Sequence, residues 1–206
     1  HPLPDTMIHF QAHGITLEEP LGELRQDEAG HRCRLLLLSS SLISQGSGRG
    51  QYRWSHLLRP WVAHLAGNLD GPMTTQLLSK AGHVTLAPVD AETARQHLET
   101  QLAAWQAGLE TPLPLAPQAA FAWLSKQGTP DMAQEKGRES DAYAAAESAY
   151  EGGRYQTGEV AQSAYLSHQW PRFERLFFEQ ANGHTFATLV EALYAPLFFA
   201  VKGKKE

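Results

Sequence analysis

A mixed α/β fold of the α+β kind, a central mixed β-sheet with flanking helices, follows from three features of this 206-residue sequence. Met7 to Ala12 alternates apolar and polar residues, Ile8 and Phe10 against His9 and Gln11, which is the period of a half-buried strand. Leu35 to Leu38 abandons alternation, as a strand covered on both faces in the middle of a sheet does. Leu98, Leu102, Trp105 and Leu109 recur at helical spacing behind Asp90, a residue placed to cap a helix N-terminus.

The elements follow in order. His13-Gly14 supplies a turn between Met7–Ala12 and Ile15–Leu17, giving a hairpin. Leu21 to Arg25 forms another short strand, Gln26 to Gly30 turns the chain, and a long strand runs from Arg32 to Ile43. A sheet built around that strand needs helices on either side. The glycine-rich loop from Gln45 to Gly50 leads into a helix between Gln51 and Asn68, which Pro60 kinks or else opens as a first-turn residue. Thr74–Ser79 and His83–Ala87 form a second hairpin around Lys80-Ala81-Gly82. Beyond the Asp90 helix, Pro112, Pro114 and Pro117 make an extended connector to a short helix with Phe121, Trp123 and Leu124. Gln127 to Arg138 is polar and reads as a mobile loop. Ser140 to Tyr150 is helical and stopped by Gly152-Gly153; an aromatic segment, Tyr165 to Phe178, precedes a final helix around Phe186 to Leu197. Tyr165, Trp170, Phe173, Phe177 and Phe178 are dense enough to be core or a subunit-facing patch, with core as the default.

The length suits one domain over residues 1–206, and the His1 start suggests a fragment of a longer polypeptide. No apolar run approaches the roughly 20 residues that span a bilayer; a soluble protein is expected, with no membrane partner. The net charge of −5 argues against a domain that grips DNA over its whole surface. Cys33 is the only cysteine, so no internal disulfide or thiolate cluster exists; it reads as a buried structural thiol and fits a reducing cytoplasm.

Reactive constellations are sparse. Gly46-Ser47-Gly48-Arg49-Gly50 sits where a phosphate cradle would, but matches neither the dinucleotide fingerprint nor the Walker A loop. Ser39 to Ser41 lack the glycines of a nucleophile elbow. No His-Glu-x-x-His helix appears, and no metal site or cofactor is expected. Glu18, Glu19 and Glu23 precede the leucine strand. From His31 to Gln51, however, there is no Asp, Glu or Lys to complete a metal-dependent nuclease site. Arg49, Arg53 and Arg59 are the local residues that could touch phosphates, although scattered arginines on an acidic chain more often serve solubility. The Lys202 to Lys205 tail reads as a solvated terminus.

Two hairpins, a central strand and a following aromatic helix in this order resemble the PD-(D/E)XK nuclease architecture. A closer resemblance is carried by Met7-Ile8-His9-Phe10 through Ile15, by Arg32-Cys33-Arg34-Leu35-Leu36-Leu37-Leu38-Ser39 and by Tyr52 to Leu65. It continues through Gln76 to His83, Pro88 to Leu109, Ala149 to Gly153 and Ala195 to Phe198. In these residues the chain resembles the RecC C-terminal domain family, the gamma subunits of bacterial exodeoxyribonuclease V. The resemblance implies a nuclease-like fold that has lost its active site. In active relatives an acid lies on one strand, and the next carries an acid, any residue, then lysine. The first acid falls here at Gly22 or Glu23, the second near Leu36 and the lysine near Leu38. It further implies a non-enzymatic scaffold in the RecBCD helicase-nuclease of double-strand break repair. Its partners would be RecB and RecD, and it would meet DNA through the assembled complex. Two readings compete with it: a Mg²⁺-dependent nuclease whose ligands have migrated to Glu18, Glu19 or Glu23, and a nucleotide-binding domain using the glycine loop.

Overall fold

A computed structural model describes residues 1–44, 51–126, 141–154 and 156–202. The glycine loop at 46–50, the polar stretch 127–138 and residues 203–205 of the basic tail lie outside them. The chain divides into two compact units, His1–Ala104 with Phe199–Glu206, and Trp105–Phe198.

In the first unit, β1 (Thr6–Ala12) and β2 (Ile15–Leu21) form the anticipated antiparallel hairpin through left-handed His13 and Gly14. A four-stranded sheet holds β3 (Leu24–Gln26), β4 (Arg32–Leu38), β7 (Met73–Ser79) and β8 (His83–Leu86), in the order β3-β4-β7-β8. The sheet is mixed, as the sequence predicts: β4 and β7 run parallel from Arg32↔Met73 to Leu38↔Ser79, and the outer pairs are antiparallel. Parallel neighbours need a crossover, and α1 (Ser55–Gly67) lies on that connection.

Several boundaries differ from the sequence reading. Leu21 completes β2, and Glu23, at a left-handed φ of 63°, breaks the extended run so that β3 starts only at Leu24. The long strand ends at Leu38 instead of Ile43, because β7 has no residue beyond Ser79 to continue the ladder. The chain bends through Ser39-Ser40, and the Leu42 N–H donates to Ser79 Oγ (3.1 Å) and Ala81 O (3.1 Å). β5 (Ile43–Ser44) then pairs antiparallel with β6 (Gln51–Tyr52), where the sequence reading ends the strand at Ile43 and opens the helix region at Gln51. Pro60 lies within α1 and does not open it.

The largest correction concerns coverage. Leu57, Trp61 and Leu65 of α1 are buried on one face of the sheet together with Met73, Leu77, Val84 and Leu86, each such side chain contributing about 2 kcal/mol. The other face is open at its centre: Leu37 is 78% exposed, and Cys33 is half-exposed instead of buried. β4 is therefore central in the sheet but covered on one side.

The helix–sheet contact is held by a buried polar network. The Asn68 side chain, at the end of α1, donates to His64 O (2.8 Å) and Met73 O (3.1 Å) and accepts from the N–H groups of Met73 (2.9 Å) and Val89 (3.2 Å). His64 Nε2–H donates to Ala87 O (3.1 Å), leaving Nδ1 to accept from the Thr75 hydroxyl (2.9 Å). His64, Asn68 and Thr75 are fully buried, so every one of these bonds replaces one otherwise lost to water. The approach is close enough that a Cβ on Gly67 would stand 2.3 Å from Met73 Cε.

α2 (Ala91–Glu110) begins as anticipated, with the Thr93 N–H on Asp90 Oδ1 at 2.9 Å, and buries Ala94 and Leu98. Its stripe does not stay buried: Trp105 is 55% and Leu109 68% exposed.

In the second unit, α3 (Pro117–Lys126) and α4 (Asp141–Glu151) pack around Trp123, Tyr143, Tyr150, Phe173 and Phe186. β9 (Gly152–Gly153), β10 (Gln156–Thr157), α5 (Glu159–Gln162), α6 (Ala164–Gln169), α7 (Phe173–Phe178) and α8 (Phe186–Leu193) follow, and α9 (Ala195–Lys202) begins in this unit and ends in the first. The single final helix of the sequence reading is two, broken at Tyr194 just before Pro196, which has no N–H to continue the ladder. The aromatic segment divides: Trp170 and Phe173 are core, whereas Tyr165 and Phe178 are exposed. Gly152, at φ 79°, does stop α4; a Cβ there would meet Gly158 N at 2.4 Å. The carboxylate of buried Glu159 caps α3 from 40 residues away, accepting from the N–H groups of Gln118 (3.1 Å) and Ala119 (3.0 Å).

Asn68→Ala takes the side-chain partner from two carbonyls and two N–H groups at one buried point and is expected to lower unfolding stability by about 3 kcal/mol, measured by urea denaturation. Glu159→Ala strands two N–H groups and is expected to cost about 2 kcal/mol, with Glu159→Gln costing less in the same assay.

Candidate functional site

The sequence directs attention to Gly22, Glu23, Leu36 and Leu38. The first pair forms the bend between β2 and β3, and the Leu35 N–H donates to Glu23 O (3.1 Å), so the bend lies alongside β4. Leu36 and Leu38 alternate on the α1-covered face, half-buried, and stand in register with Leu77 and Ser79. The structure thus sets the bend next to the leucine strand, with hydrocarbon at the two strand positions.

One residue on the same face was overlooked in the sequence. Arg34, half-buried two positions before Leu36, turns its guanidinium onto the bend, and Nε–H donates to Gly22 O at 3.0 Å. Burial lowers its proton affinity, the Glu23 carboxylate restores part of it and the Arg59 guanidinium opposes it; an arginine nevertheless stays charged. Its signal in the sequence is a cation that, like Arg32, shares strand parity with Leu36 and Leu38.

The carboxylates around the bend are engaged separately. Glu18 faces His9 across the hairpin at 2.9 Å, Glu19 lies 3.9 Å from Arg59, and exposed Glu23 sits beside Arg34. The Asp5 carboxylate packs against Gly22, where a Cβ would stand 3.1 Å from its Oδ1. Successive residues of β2 point to opposite sides, so Glu18 and Glu19 do not converge. Among the described residues no group of three or more His, Cys, Asp or Glu could hold a metal ion. Arg53 and Arg59 are exposed just before and within α1, while Arg49 lies outside the described residues. Among the described residues, too, no helix is long and apolar enough to cross a membrane.

The model of the RecC C-terminal domain family matches residues 1–128, more than half of the chain. The chain belongs to the RecC C-terminal domain family. Comparison with curated proteins returned no match. As a RecC C-terminal domain the chain is part of the RecBCD complex, which acts in DNA recombination and repair alongside other subunits. The matched span takes in the bend, the leucine strand and the α1 crossover of this RecC domain.

His64 feels the Arg34 charge, and its titration reports on this face. Burial pulls the imidazole down to about 4 from an ordinary 6.5, the bond to Ala87 O opposing and the Arg34 charge reinforcing the shift. A base with a depressed folded value contributes stability that is complete above the unfolded value and disappears as pH falls through the folded one. Between pH 6.5 and 4 the loss is expected to reach about 3 kcal/mol. Urea unfolding across that window should show it, with a smaller loss in His64→Gln.

Proposed function

We propose that this RecC domain is a non-catalytic scaffold of the RecBCD helicase-nuclease, a nuclease-like fold without its active centre. It docks RecB and RecD and guides DNA within the assembled complex in the cytoplasm, and the whole of residues 1–206 serves that role. The observation that carries the reading is the Arg34 guanidinium on the Gly22–Glu23 bend with Leu36 and Leu38 following on the same face. A divalent ion at such a site needs converging carboxylates, and a lysine or other base to orient water. A fixed cation and two aliphatic side chains supply neither.

The same arrangement disfavours migration of ligands to Glu18, Glu19 or Glu23, whose neighbours are His9, Arg59 and Arg34. Contact of Arg53 and Arg59 with phosphates remains part of the DNA-guiding role, since both side chains are exposed near one helix start.

Two measurements test the proposal on the intact subunit. Linear DNA with Mg²⁺ is expected to survive incubation with it, and cleavage abolished by Glu23→Ala would replace the scaffold reading with an active nuclease. Co-purification with RecB and RecD is expected to be retained; a folded subunit that captures neither contradicts docking.

A further inference from the structure

The face of the four-stranded sheet opposite α1 has a composition unlike the rest of the chain. At its centre Leu37 (78% exposed) and Leu78 (39%) stand in register, with half-buried Leu35 and Cys33 along the same strand. Arg25 on β3 and His83 on β8 flank this row and are exposed, and the remaining open-face positions on the strands are threonine and glutamine. No carboxylate projects from the strands on this face, although the chain as a whole carries a net charge of −5.

All-parallel sheets are found almost only with both faces covered, and in this mixed sheet the open face runs over the parallel pair β4/β7. The backbone groups of β4 and β7 are already taken by neighbours on both sides, so an added strand could pair only at the β3 or β8 edge. What covers the centre must therefore pack side chains onto leucines, as a helix does. A second copy of this face would offer Arg25 another arginine and no carboxylate from the strands. Nucleic acid would find aliphatic carbon where it needs phosphate donors.

We propose that this face docks an amphipathic helix of a partner protein, its apolar stripe over Leu35, Leu37 and Leu78 and its carboxylates toward Arg25 and His83. The assignment rests on the scaffold reading and names the surface that performs the docking.

Cys33, the only thiol of this chain, lies on the proposed surface and reports its coverage. Maleimide labelling of Cys33, read at the peptide level by mass spectrometry, compares the free subunit with the assembled RecBCD complex. Labelling is expected to slow at least about tenfold on assembly, because thiol reactivity follows exposure. Leu37→Lys and Arg25→Glu, both at exposed positions and checked for folding by circular dichroism, are each expected to weaken assembly about tenfold, the cost of losing an anchor or a complementary charge. Equal labelling in a complex that does assemble overturns the surface assignment while leaving the scaffold reading standing. Failure to assemble at all overturns both. Protection that instead rises with the concentration of the free subunit assigns the face to a second copy. An Arg25→Glu subunit that assembles normally removes the acidic partner.

Discussion

One carboxamide holds the first unit together. Asn68 closes α1, pins the first residue of β7 through both backbone groups of Met73, and takes the N–H of Val89 just after β8. Helix end, parallel strand and hairpin exit are thereby fixed at one buried point. Because the β4/β7 ladder starts at Arg32↔Met73, the same contact sets the register that places Leu36 beside Leu77. A slip of one residue would turn Arg34, Leu36 and Leu38 away from the helix and bring Leu37 beneath it. The identity of the face next to the Gly22–Glu23 bend is thus a consequence of a helix terminus some distance along the chain.

Given that register, the chemistry of the bend is constrained. The α1 face is dry at its centre, with Thr75 and His64 fully buried and neutral, so a charge at its margin must find partners there. Arg34 does so by donating to a backbone carbonyl and lying near a single carboxylate. An ammonium or carboxylate in that half-buried position could shed its charge by titration; a guanidinium cannot. Its permanent positive charge opposes a divalent cation at close range.

Much of this was legible from residue patterns, and the parts that were not have specific causes. Alternation in Met7–Ala12 located the first hairpin, Asp90 located the start of α2, and the unbroken leucines identified a central strand. The end of that strand was misplaced because Leu42 and Ile43 continue its apolar character, whereas the ladder stops with its partner at Ser79. Periodicity reports what a segment could pair with, not how long its neighbour is. The Asn68 network was invisible for a related reason: its partners are backbone groups, which every residue carries. Arg34 was visible as a letter, but its meaning depended on a left-handed residue at position 23 that nothing in a glutamate announces.

Two buried groups, one in each unit, respond to acid in opposite senses. His64, with a depressed value, contributes stability to the first unit above pH 6.5 that is lost toward pH 4. Glu159, whose carboxyl burial pushes up despite two N–H donors, behaves inversely. Its contribution is complete below the ordinary glutamate value and is lost as pH rises through its higher folded one. In the second unit the cost of burying the Glu159 carboxylate is offset by its capping of α3, while the first unit buries His64 as a neutral ring. Mild acidification relaxes one and loads the other. Protonation of His64 therefore loosens the polar network that joins α1 to the sheet, whereas protonation of Glu159 relieves the burial of its carboxylate.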